Sequence, residues 1–495
     1  MSIIRKSIEG TIWLTASQLI SIAIGAVSTV FIARYLGPDK YGYLPLIASI
    51  VGIAMIFGDA GLGPSTSYFL AHHQDNKEYS SGLLCKALKL RFLTILPLCV
   101  IFMYVMPQIS GFLNAPLLKD NLAIAVVFLF FIEIMFRWTG KAYEGLGEAY
   151  RLGRAQVFLS WIAPLSKILL VALGFGVLGA IGGQVFGSVI IVTLLMLLLL
   201  RKHKLKKVTG NINNLPVSYS QIIRYALPLM IIHAGFFVYM QSDILILKYF
   251  RNIEDVSYYG LIVQLAVLIQ IPALSFGKST APLVASVREN PSEKTCTLVR
   301  RSLRYIVVVY APIALFLYIL SPTFITLIFS QKYLPSVPIL RIYIPFIFCF
   351  AIAGFASLTL DYSGKARLRM IFVGISAIAN VGLNLWLVPR FGMAGAAWAT
   401  QVTYVPLVMI YVYLITKLYN ISFKGSHIFL IKLFCALVLS GIILMTLGKA
   451  TRESSTALIA TVCLALVCYG STLILTRLVR LDEIRTILRT LSLAR

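Results

Sequence analysis

The sequence predicts an all-α, polytopic membrane protein with fourteen transmembrane helices, arranged as two similar six-helix bundles that two further helices follow. Three observations carry this prediction. The 495 residues are 59% hydrophobic and only 13% charged, whereas about one-quarter of an average soluble domain is charged. Long apolar windows recur along the whole chain, and a stretch of the second half repeats one of the first.

Each apolar window is long enough to cross the hydrocarbon core of a bilayer, which takes about 20 helical residues. In chain order the windows lie at roughly 11–33, 43–69, 91–110, 121–142, 155–174, 177–200, 221–248, 257–280, 304–329, 337–360, 370–388, 394–416, 427–447 and 455–476. Glycines and prolines interrupt several of them, as they do in the substrate-lining helices of transporters.

The lysines and arginines of the loops predict how the chain is oriented. When successive loops are assigned to alternate sides of the membrane, one side holds 31 of the 44 basic residues and the other holds 10. Cytoplasmic loops are the ones rich in Lys and Arg, so both ends of the chain are expected in the cytoplasm. If one span in the middle had been missed, all later loops would change sides and the basic residues would be mixed between the two sides. The observed asymmetry therefore also supports the predicted number of spans.

The internal duplication is clearest in two glycine-rich stretches, FGVLGAIGGQ at 175–184 and FGMAGAAWATQ at 391–401. Gly147-Glu148-Ala149 and Gly364-Lys365-Ala366 keep nearly the same separation, before the same helix pair. The small residues favour a tight turn followed by close packing of helices in lipid. Such a repeat organises the whole fold.

The repeat divides the chain into four predicted parts. These are an N-terminal six-helix bundle over 1–200, a cytoplasmic linker over 201–220, a C-terminal six-helix bundle over 221–418, and a last part over 419–495. The last part combines two accessory transmembrane helices with a basic tail whose leucines and isoleucines recur at helical spacing, as in an amphipathic helix at a membrane surface.

The net charge of +26 indicates an anionic partner. Because the basic residues lie in short loops between spans and not on one soluble face, we expect anionic membrane lipids and no nucleic acid. The seven cysteines are scattered through apolar runs without a CxxC pair, which indicates packing and no metal site. We expect no cofactor and no catalytic residues.

Three stretches carry a resemblance to a known family: ARYLGPDKYGYLPLIASIVGIAMIFGDAGL at 33–62, DILILKYFRNIEDVSYYG at 243–260 and NVGLNLWLVPRFGMAGAAWAT at 380–400. Together they resemble the polysaccharide transporters of the MOP superfamily, the Wzx-type flippases of lipid-linked oligosaccharides. The resemblance implies a MATE-like, V-shaped pair of six-helix bundles around a central cavity. It also implies alternating access and a polyprenyl-pyrophosphate-linked glycan as the substrate, carried across the plasma membrane.

Two other functions stay open at this stage. The first is ion-coupled export of small molecules, because MATE-type exporters share the fold of the superfamily. The second is a membrane glycan polymerase or ligase. This function is less favourable, because the predicted outer loops are short and lack a group of catalytic residues. Glycosyltransferases and a polymerase are expected as neighbours of a flippase, and a proton or a sodium ion as its coupling ion.

Charges inside spans cost about 2.5–3.5 kcal/mol at a helix centre and normally face a cavity or a partner. Glu133, Arg137 and Lys141 follow each other at intervals of four residues and predict one charged helix face. We expect Arg137 and Lys141 to bind the pyrophosphate and Glu133 to orient Arg137 or to take part in gating. The alternative is that Glu133 and Arg137 only pair with each other.

Further basic candidates for the substrate are Lys167 beside Pro164, Lys278 beyond Pro272, and Arg34 at the end of the first span. Snorkelling to the membrane surface is an alternative for both lysines, and an interfacial position is one for the arginine.

Asp59, in the GDAGLG break of the second span, and His233, alone on an apolar stretch, are the remaining candidates for gating or ion coupling. Asp59 is expected to hold a cation, a proton or one of the lysines, unless it only caps a helix. A hydrogen-bonded packing histidine is the alternative for His233.

Overall fold

A computed structural model describes residues 20–21, 23–72, 77–202, 217–285, 293–421, 426–450, 455–476 and 478. The secondary structure of these residues is helical, without a strand, which confirms the predicted all-α class. Apolar windows of this length fold as helices because a helix satisfies all its backbone hydrogen bonds within one segment, where lipid offers none.

Seventeen α-helices lie in the described residues. In chain order they are α1 Ala23–Leu36, α2 Pro38–Tyr41, α3 Tyr43–Asp59, α4 Leu62–Ala71, α5 Lys77–Phe112, α6 Asp120–Gly145, α7 Ala149–Leu159, α8 Ile162–Leu170, α9 Gly176–Lys202, α10 Tyr219–Phe250, α11 Ile253–Ala285, α12 Glu293–Ile328, α13 Val337–Tyr362, α14 Ala366–Phe391, α15 Met393–Leu418, α16 Ser426–Ala450 and α17 Ser455–Leu475. A π-helical turn, Val171–Phe175, joins α8 to α9.

Ten helical stretches among the described residues are long and apolar enough to cross a membrane, or eleven if the bent pair Tyr219–Met230 and Ala234–Phe250 forms one span. One of the ten, Ala149–Lys202, is 54 residues long and contains both the fifth and the sixth predicted window. Ala23–Leu36 and Ala460–Leu475 are shorter apolar helices. The protein is therefore polytopic, whereas the count of fourteen spans stays a prediction.

The chain forms two compact units. The first comprises Met1–Leu268 and Met370–Thr403. Part of its core is a cluster of buried side chains from α4, α5, α6, α7, α9 and the start of α10 that includes Trp138, which is fully buried. The Trp138 indole donates a hydrogen bond to Thr66 over 3.2 Å, so this large side chain is both packed and satisfied.

The second unit comprises Ile269–Arg369 and Tyr404–Arg495. Its described core includes a cluster from α12, α16 and α17 around Val308 and Tyr469, and the Tyr469 hydroxyl donates to the Val308 carbonyl over 2.7 Å. The boundaries of the two units differ from those of the predicted bundles, whose division stays a prediction.

The predicted duplication is visible in matching turns. Gly147 after α6 and Gly364 after α13 have positive φ angles of 67° and 75°. The N–H of Glu148 donates over 2.9 Å to the carbonyl of Tyr143, and in the second copy the N–H of Lys365 donates over 2.9 Å to the carbonyl of Leu360. This is the hydrogen bond of a Schellman turn, in which glycine ends a helix in the left-handed conformation.

The glycine-rich stretches also match. Gly176 at the start of α9 and Gly392 just before α15 have φ angles of 58° and 57°. A Cβ at Gly179 would lie 2.9 Å from a backbone carbonyl oxygen of α8, and one at Gly395 would lie 2.4 Å from a carbonyl oxygen of α14. Both copies thus have the turn and the close helix approach that the sequence predicts. The π-helical turn adds one residue to the first copy, so the separation between copies changes from 217 residues before it to 216 after it.

Candidate functional site: a charged cavity and a buried carboxylate

The first unit contains a cavity of about 420 Å³, lined by residues of α1, α3, α6, α8, α9, α10 and α11 among others. Three of the predicted site residues, Glu133, Arg137 and Lys167, line it together. Glu133 and Arg137 reach it from neighbouring turns of α6, as their spacing predicts, and Lys167 comes from α8. The cavity therefore holds two cations and one carboxylate.

Arg137 is only weakly engaged by the protein. Its Nε lies 4.0 Å from Glu133 Oε2, at the outer limit of an ion pair, and 54% of the arginine side chain is exposed. The guanidinium carbon is 5.7 Å from the centroid of the Phe237 ring, within the range of a cation–π contact. The ring supports the guanidinium without using its hydrogen-bond donors, which leaves the planar fork of donors available for an anion.

Lys167 owes its position to glycines of α9. A Cβ at Gly183 would lie 2.5 Å from the backbone nitrogen of Lys167, and one at Gly187 would lie 2.3 Å from the Cα of Ala163. No side chain fits at either place, so α8 packs directly on the backbone of α9. The lysine side chain consequently starts from a fixed point on the wall of the cavity.

Amides and hydroxyls lie between apolar side chains on the rest of the cavity wall. Gln241 accepts a hydrogen bond from Ser49 over 2.9 Å, and Gln264 donates to Thr29 over 2.9 Å. Gln184 donates to Ser188 over 3.2 Å. These bonds hold the amides in set orientations beside the charged groups, where they offer both donors and acceptors to a polar ligand.

The structure places the other predicted residues elsewhere. Lys141 does not line the cavity and pairs with Glu144 over 2.5 Å, because Lys141 lies one turn further along α6 than Arg137. Arg34 is exposed at the end of α1 and does not line the cavity either. The side chains of Lys278 and His233 lie outside the described residues.

Asp59 pairs with Arg91, the first residue of the predicted window 91–110. Arg91 is fully buried, and its Nη2 lies 2.6 Å from Asp59 Oδ1. Arg91 Nη1 donates to the carbonyls of Gly58 over 2.8 Å and of Asp59 over 3.2 Å. One guanidinium thus satisfies both the carboxylate and the end of α3. Among the described residues, the ion-pair partner of Asp59 is thus Arg91 and not a lysine.

Asp243 is a functional candidate that the predicted site residues do not include. It lies in α10 and only 6% of the residue is exposed. Tyr259 donates to it over 2.7 Å, Thr400 over 2.5 Å and Asn384 over 2.7 Å. Within the described part of the chain no lysine or arginine forms an ion pair with it. The signal in the sequence that could have identified it is a carboxylate inside the apolar window 221–248.

The amides beside Asp243 are incompletely satisfied. Asn384 Oδ1 and Asn380 Nδ2 are buried and have no hydrogen-bond partner among the described residues. A buried ionised carboxylate needs a counter-charge, and an amide oxygen next to it suits a hard cation, which oxygen ligands hold. The set Asp243, Asn384 and Thr400 is therefore suited to a small cation or to a proton on the carboxylate.

The two halves of the duplication differ in charge at matching positions. Lys167 corresponds to Asn384 at the separation of 217 residues that holds before the π-helical turn. Thr29 corresponds to Asp243 at the separation of 214 residues that aligns Arg34 with Lys248. The first copy thus has Lys167 at the position where the second copy has Asn384, whose amide donates a hydrogen bond to Asp243. The first copy suits an anion and the second a cation.

Comparisons with known proteins agree with this fold. The family model described as "Polysaccharide biosynthesis protein" matches residues 7–288, more than half of the chain. An uncharacterized membrane protein of Methanocaldococcus jannaschii is 25% identical over 225 residues, which are 45% of this chain. The aligned part spans only 43% of that relative's length.

Solved structures of similar fold include the lipid II flippase MurJ in an inward closed conformation, with a TM-score of 0.70, 15% identity and coverage of 93% of this chain and 98% of MurJ. The inward-facing conformation of a multidrug resistance MATE family transporter has a TM-score of 0.64 and 18% identity, over 82% of this chain and 96% of the transporter. A MOP superfamily transporter of Pyrococcus furiosus has a TM-score of 0.56 and 18% identity, over 83% and 96% of the two chains.

The match over more than half of the chain shows the family, and the similar structures show the fold. The resemblance found in the sequence is thereby confirmed. The chain is a multi-pass membrane protein that belongs to the polysaccharide biosynthesis protein family.

Proposed function

We propose that the protein is a flippase that moves polyprenyl-pyrophosphate-linked oligosaccharide, the repeat unit of O-antigen or another surface polysaccharide, across the plasma membrane by alternating access. The observation that carries the proposal is the pair Arg137 and Lys167 in one cavity, where Glu133 is the single carboxylate among the described lining residues and the net charge is therefore positive. The family description supports a glycan as the cargo.

The electrostatics favour an anionic head group. A pyrophosphate cannot leave water for a cleft of low dielectric constant without compensating charge. Arg137 provides a planar fork of donors for two phosphate oxygens, and Lys167 provides a point charge. The amides of Gln184, Gln241 and Gln264 are suited to sugar hydroxyls, since each amide both donates and accepts. The polyprenyl chain stays in lipid, and anionic lipids are expected around the basic loops.

Asp243 is proposed as the coupling site. A buried carboxylate with neutral donors on three sides is stabilised when it takes up a cation or a proton, so the state of Asp243 responds to an ion gradient. This assigns to Asp243 the role that the sequence suggests for Asp59, Glu133 or His233. Glycosyltransferases and a glycan polymerase are proposed as partners that supply the substrate and consume the product.

The runner-up is ion-coupled export of small molecules, which the MATE-like fold and the Asp243 cluster both favour. Transport of organic cations in vesicles, without any build-up of lipid-linked glycan in cells that lack the protein, is the result that would favour the exporter. The proposed flippase needs no catalytic residues, and polymerase or ligase activity is the least supported function.

The test compares variants of α6 in cells whose own copy is deleted. Arg137→Ala is expected to abolish glycan export and to leave lipid-linked glycan on the cytoplasmic side. Arg137→Lys is expected to keep part of the export, because the charge remains but the fork geometry is lost. Glu133→Gln is expected to reduce export less than either change.

Lys141→Ala is the matched control, since Lys141 lies on the same helix one turn beyond Arg137 but outside the cavity lining. Membrane abundance of each variant is measured by immunoblotting. Normal export by Arg137→Ala, or a loss that follows only from missing protein, would mean that the arginine is a structural partner of Glu133.

A further inference from the structure

The beginning of α11 packs on the beginning of α3 with almost no space between the backbones. A Cβ at Gly42 would lie 2.2 Å from the carbonyl oxygen of Ile253, and a Cβ at Gly260 would lie 2.6 Å from Pro45 Cβ. We call this set of four residues, Gly42, Pro45, Ile253 and Gly260, the α3–α11 contact. Both glycines lack a side chain, and neither position has room for one.

Gln264 connects this contact to the cavity. It lies one turn beyond Gly260 on α11, it is exposed, and it lines the cavity. Its Oε1 accepts a hydrogen bond from the hydroxyl of Tyr41 over 3.2 Å, and its Nε2 donates to Thr29 Oγ1 over 2.9 Å. Tyr41 precedes Gly42 directly and is 2% exposed. One amide therefore faces the ligand space on one side and the closed contact on the other.

The contact also contains a hydroxyl that opposes closure. Ser257 is fully buried, and its backbone nitrogen would lie 3.1 Å from a Cβ at Gly42. Its Oγ has no hydrogen-bond partner among the described residues. A buried hydroxyl without a partner is unfavourable, and separation of α3 from α11 would return it to water. The closed contact is thus held by the bond between Tyr41 and Gln264 and weakened by Ser257.

We propose that Gln264 couples occupation of the cavity to the α3–α11 contact. A sugar hydroxyl of the bound glycan that hydrogen-bonds to the Gln264 amide competes with Tyr41 for the same acceptor, and loss of the Tyr41 bond lets the contact open. The coupling rests on the proposed function, because it takes the glycan as the ligand. The net contribution of one hydrogen bond corresponds to a shift of about threefold to tenfold in the ratio of open to closed protein.

The open fraction is measured by electron paramagnetic resonance between spin labels at Lys40 and Glu254, which are exposed on the two sides of the contact. The seven native cysteines are first replaced, which breaks no disulfide because all seven are free. Tyr41→Phe is expected to raise the open fraction about threefold to tenfold. Ser257→Ala is expected to lower it, because the unpaired hydroxyl is gone.

Tyr43→Phe is the matched control. Tyr43 is also buried at the start of α3, but its hydroxyl bonds to the backbone of Leu117 and not to α11. Its substitution is expected to leave the open fraction unchanged. Equal open fractions in Tyr41→Phe and Tyr43→Phe would overturn the role of the Tyr41 bond, whatever the substrate is.

The ligand arm uses undecaprenyl-pyrophosphoryl N-acetylglucosamine in nanodiscs, with undecaprenyl pyrophosphate as the probe that lacks a sugar. The sugar-bearing probe is expected to open the wild-type contact, and the sugar-free probe to bind without opening it. Gln264→Leu is expected to bind both probes, to start with a raised open fraction and to show no further shift. Opening of Gln264→Leu by the sugar-bearing probe overturns the coupling. Failure of both probes to bind the wild-type protein overturns the proposed substrate instead. The comparison of Tyr41→Phe with Tyr43→Phe then still tests whether the Tyr41 bond holds the α3–α11 contact closed.

Discussion

A methyl group at Gly183 is the most direct test of how α9 positions Lys167. In Gly183→Ala the new Cβ would lie 2.5 Å from the nitrogen and 2.6 Å from the Cα of Lys167. Both are backbone atoms, which cannot rotate away, and ordinary contacts begin near 3.4 Å. The α8 backbone must therefore move by about 1 Å, and overpacking of this kind costs about 1–3 kcal/mol.

Displacement of about 1 Å of a group that positions a substrate can reduce a rate about 100-fold. We therefore expect Gly183→Ala to lower glycan transport about 10- to 100-fold while the protein still reaches the membrane. The assay is flipping of a lipid-linked glycan by purified protein in proteoliposomes, normalised to the inserted protein.

Gly182→Ala is the matched control for this substitution. A Cβ at Gly182 would have Leu170 Cδ1, 3.9 Å away, as its nearest neighbour. Both substitutions gain the same helix propensity, about 1 kcal/mol, so the comparison isolates the contact with Lys167. Equal transport by the two variants, or a loss in Gly183→Ala that follows only from less inserted protein, would refute the reasoning.

Three more predictions follow from the structure. Asp243→Asn removes the carboxylate. We expect transport by this variant to lose its dependence on a sodium or proton gradient, while binding of the lipid-linked glycan persists. An unchanged gradient dependence would exclude Asp243 as the coupling site. Asp59→Asn leaves the fully buried Arg91 guanidinium without its counter-charge, which should cost about 3–5 kcal/mol and lower the thermal unfolding temperature of the purified protein more than Arg91→Leu does, since the latter leaves a carboxylate that is partly exposed. A reporter fused after Arg495 should be cytoplasmic and one inserted at 114–119 external, and finding the two ends of the chain on opposite faces would contradict the predicted topology.

The sequence predicts the helical class, the breaks and the duplication for local reasons. In lipid the backbone must satisfy its hydrogen bonds within each segment, so apolar length alone indicates helices. Glycines mark turns because their positive φ angles are difficult for other residues, and the turns at Gly147 and Gly364 match accordingly. The shared face of Glu133 and Arg137 also follows from helical spacing alone.

The composition of the candidate site depends on contacts between distant helices, which local patterns do not specify. Lys167 joins Arg137 at one cavity only because α8 packs on the glycines of α9. Arg91 lies at the edge of a predicted span, where a basic residue is expected at the membrane surface, yet it is buried and pairs with Asp59.

What the sequence by itself determined is therefore the set of helices, their repeat and the family. What only the tertiary structure decided is which charges meet. The partners of Asp243 lie 16, 141 and 157 residues away along the chain, and no periodicity within a helix relates them. The physical reason is that close packing of side chains between helices sets the distances between such groups, and a charge buried by that packing is tolerated only where its partners are brought to it.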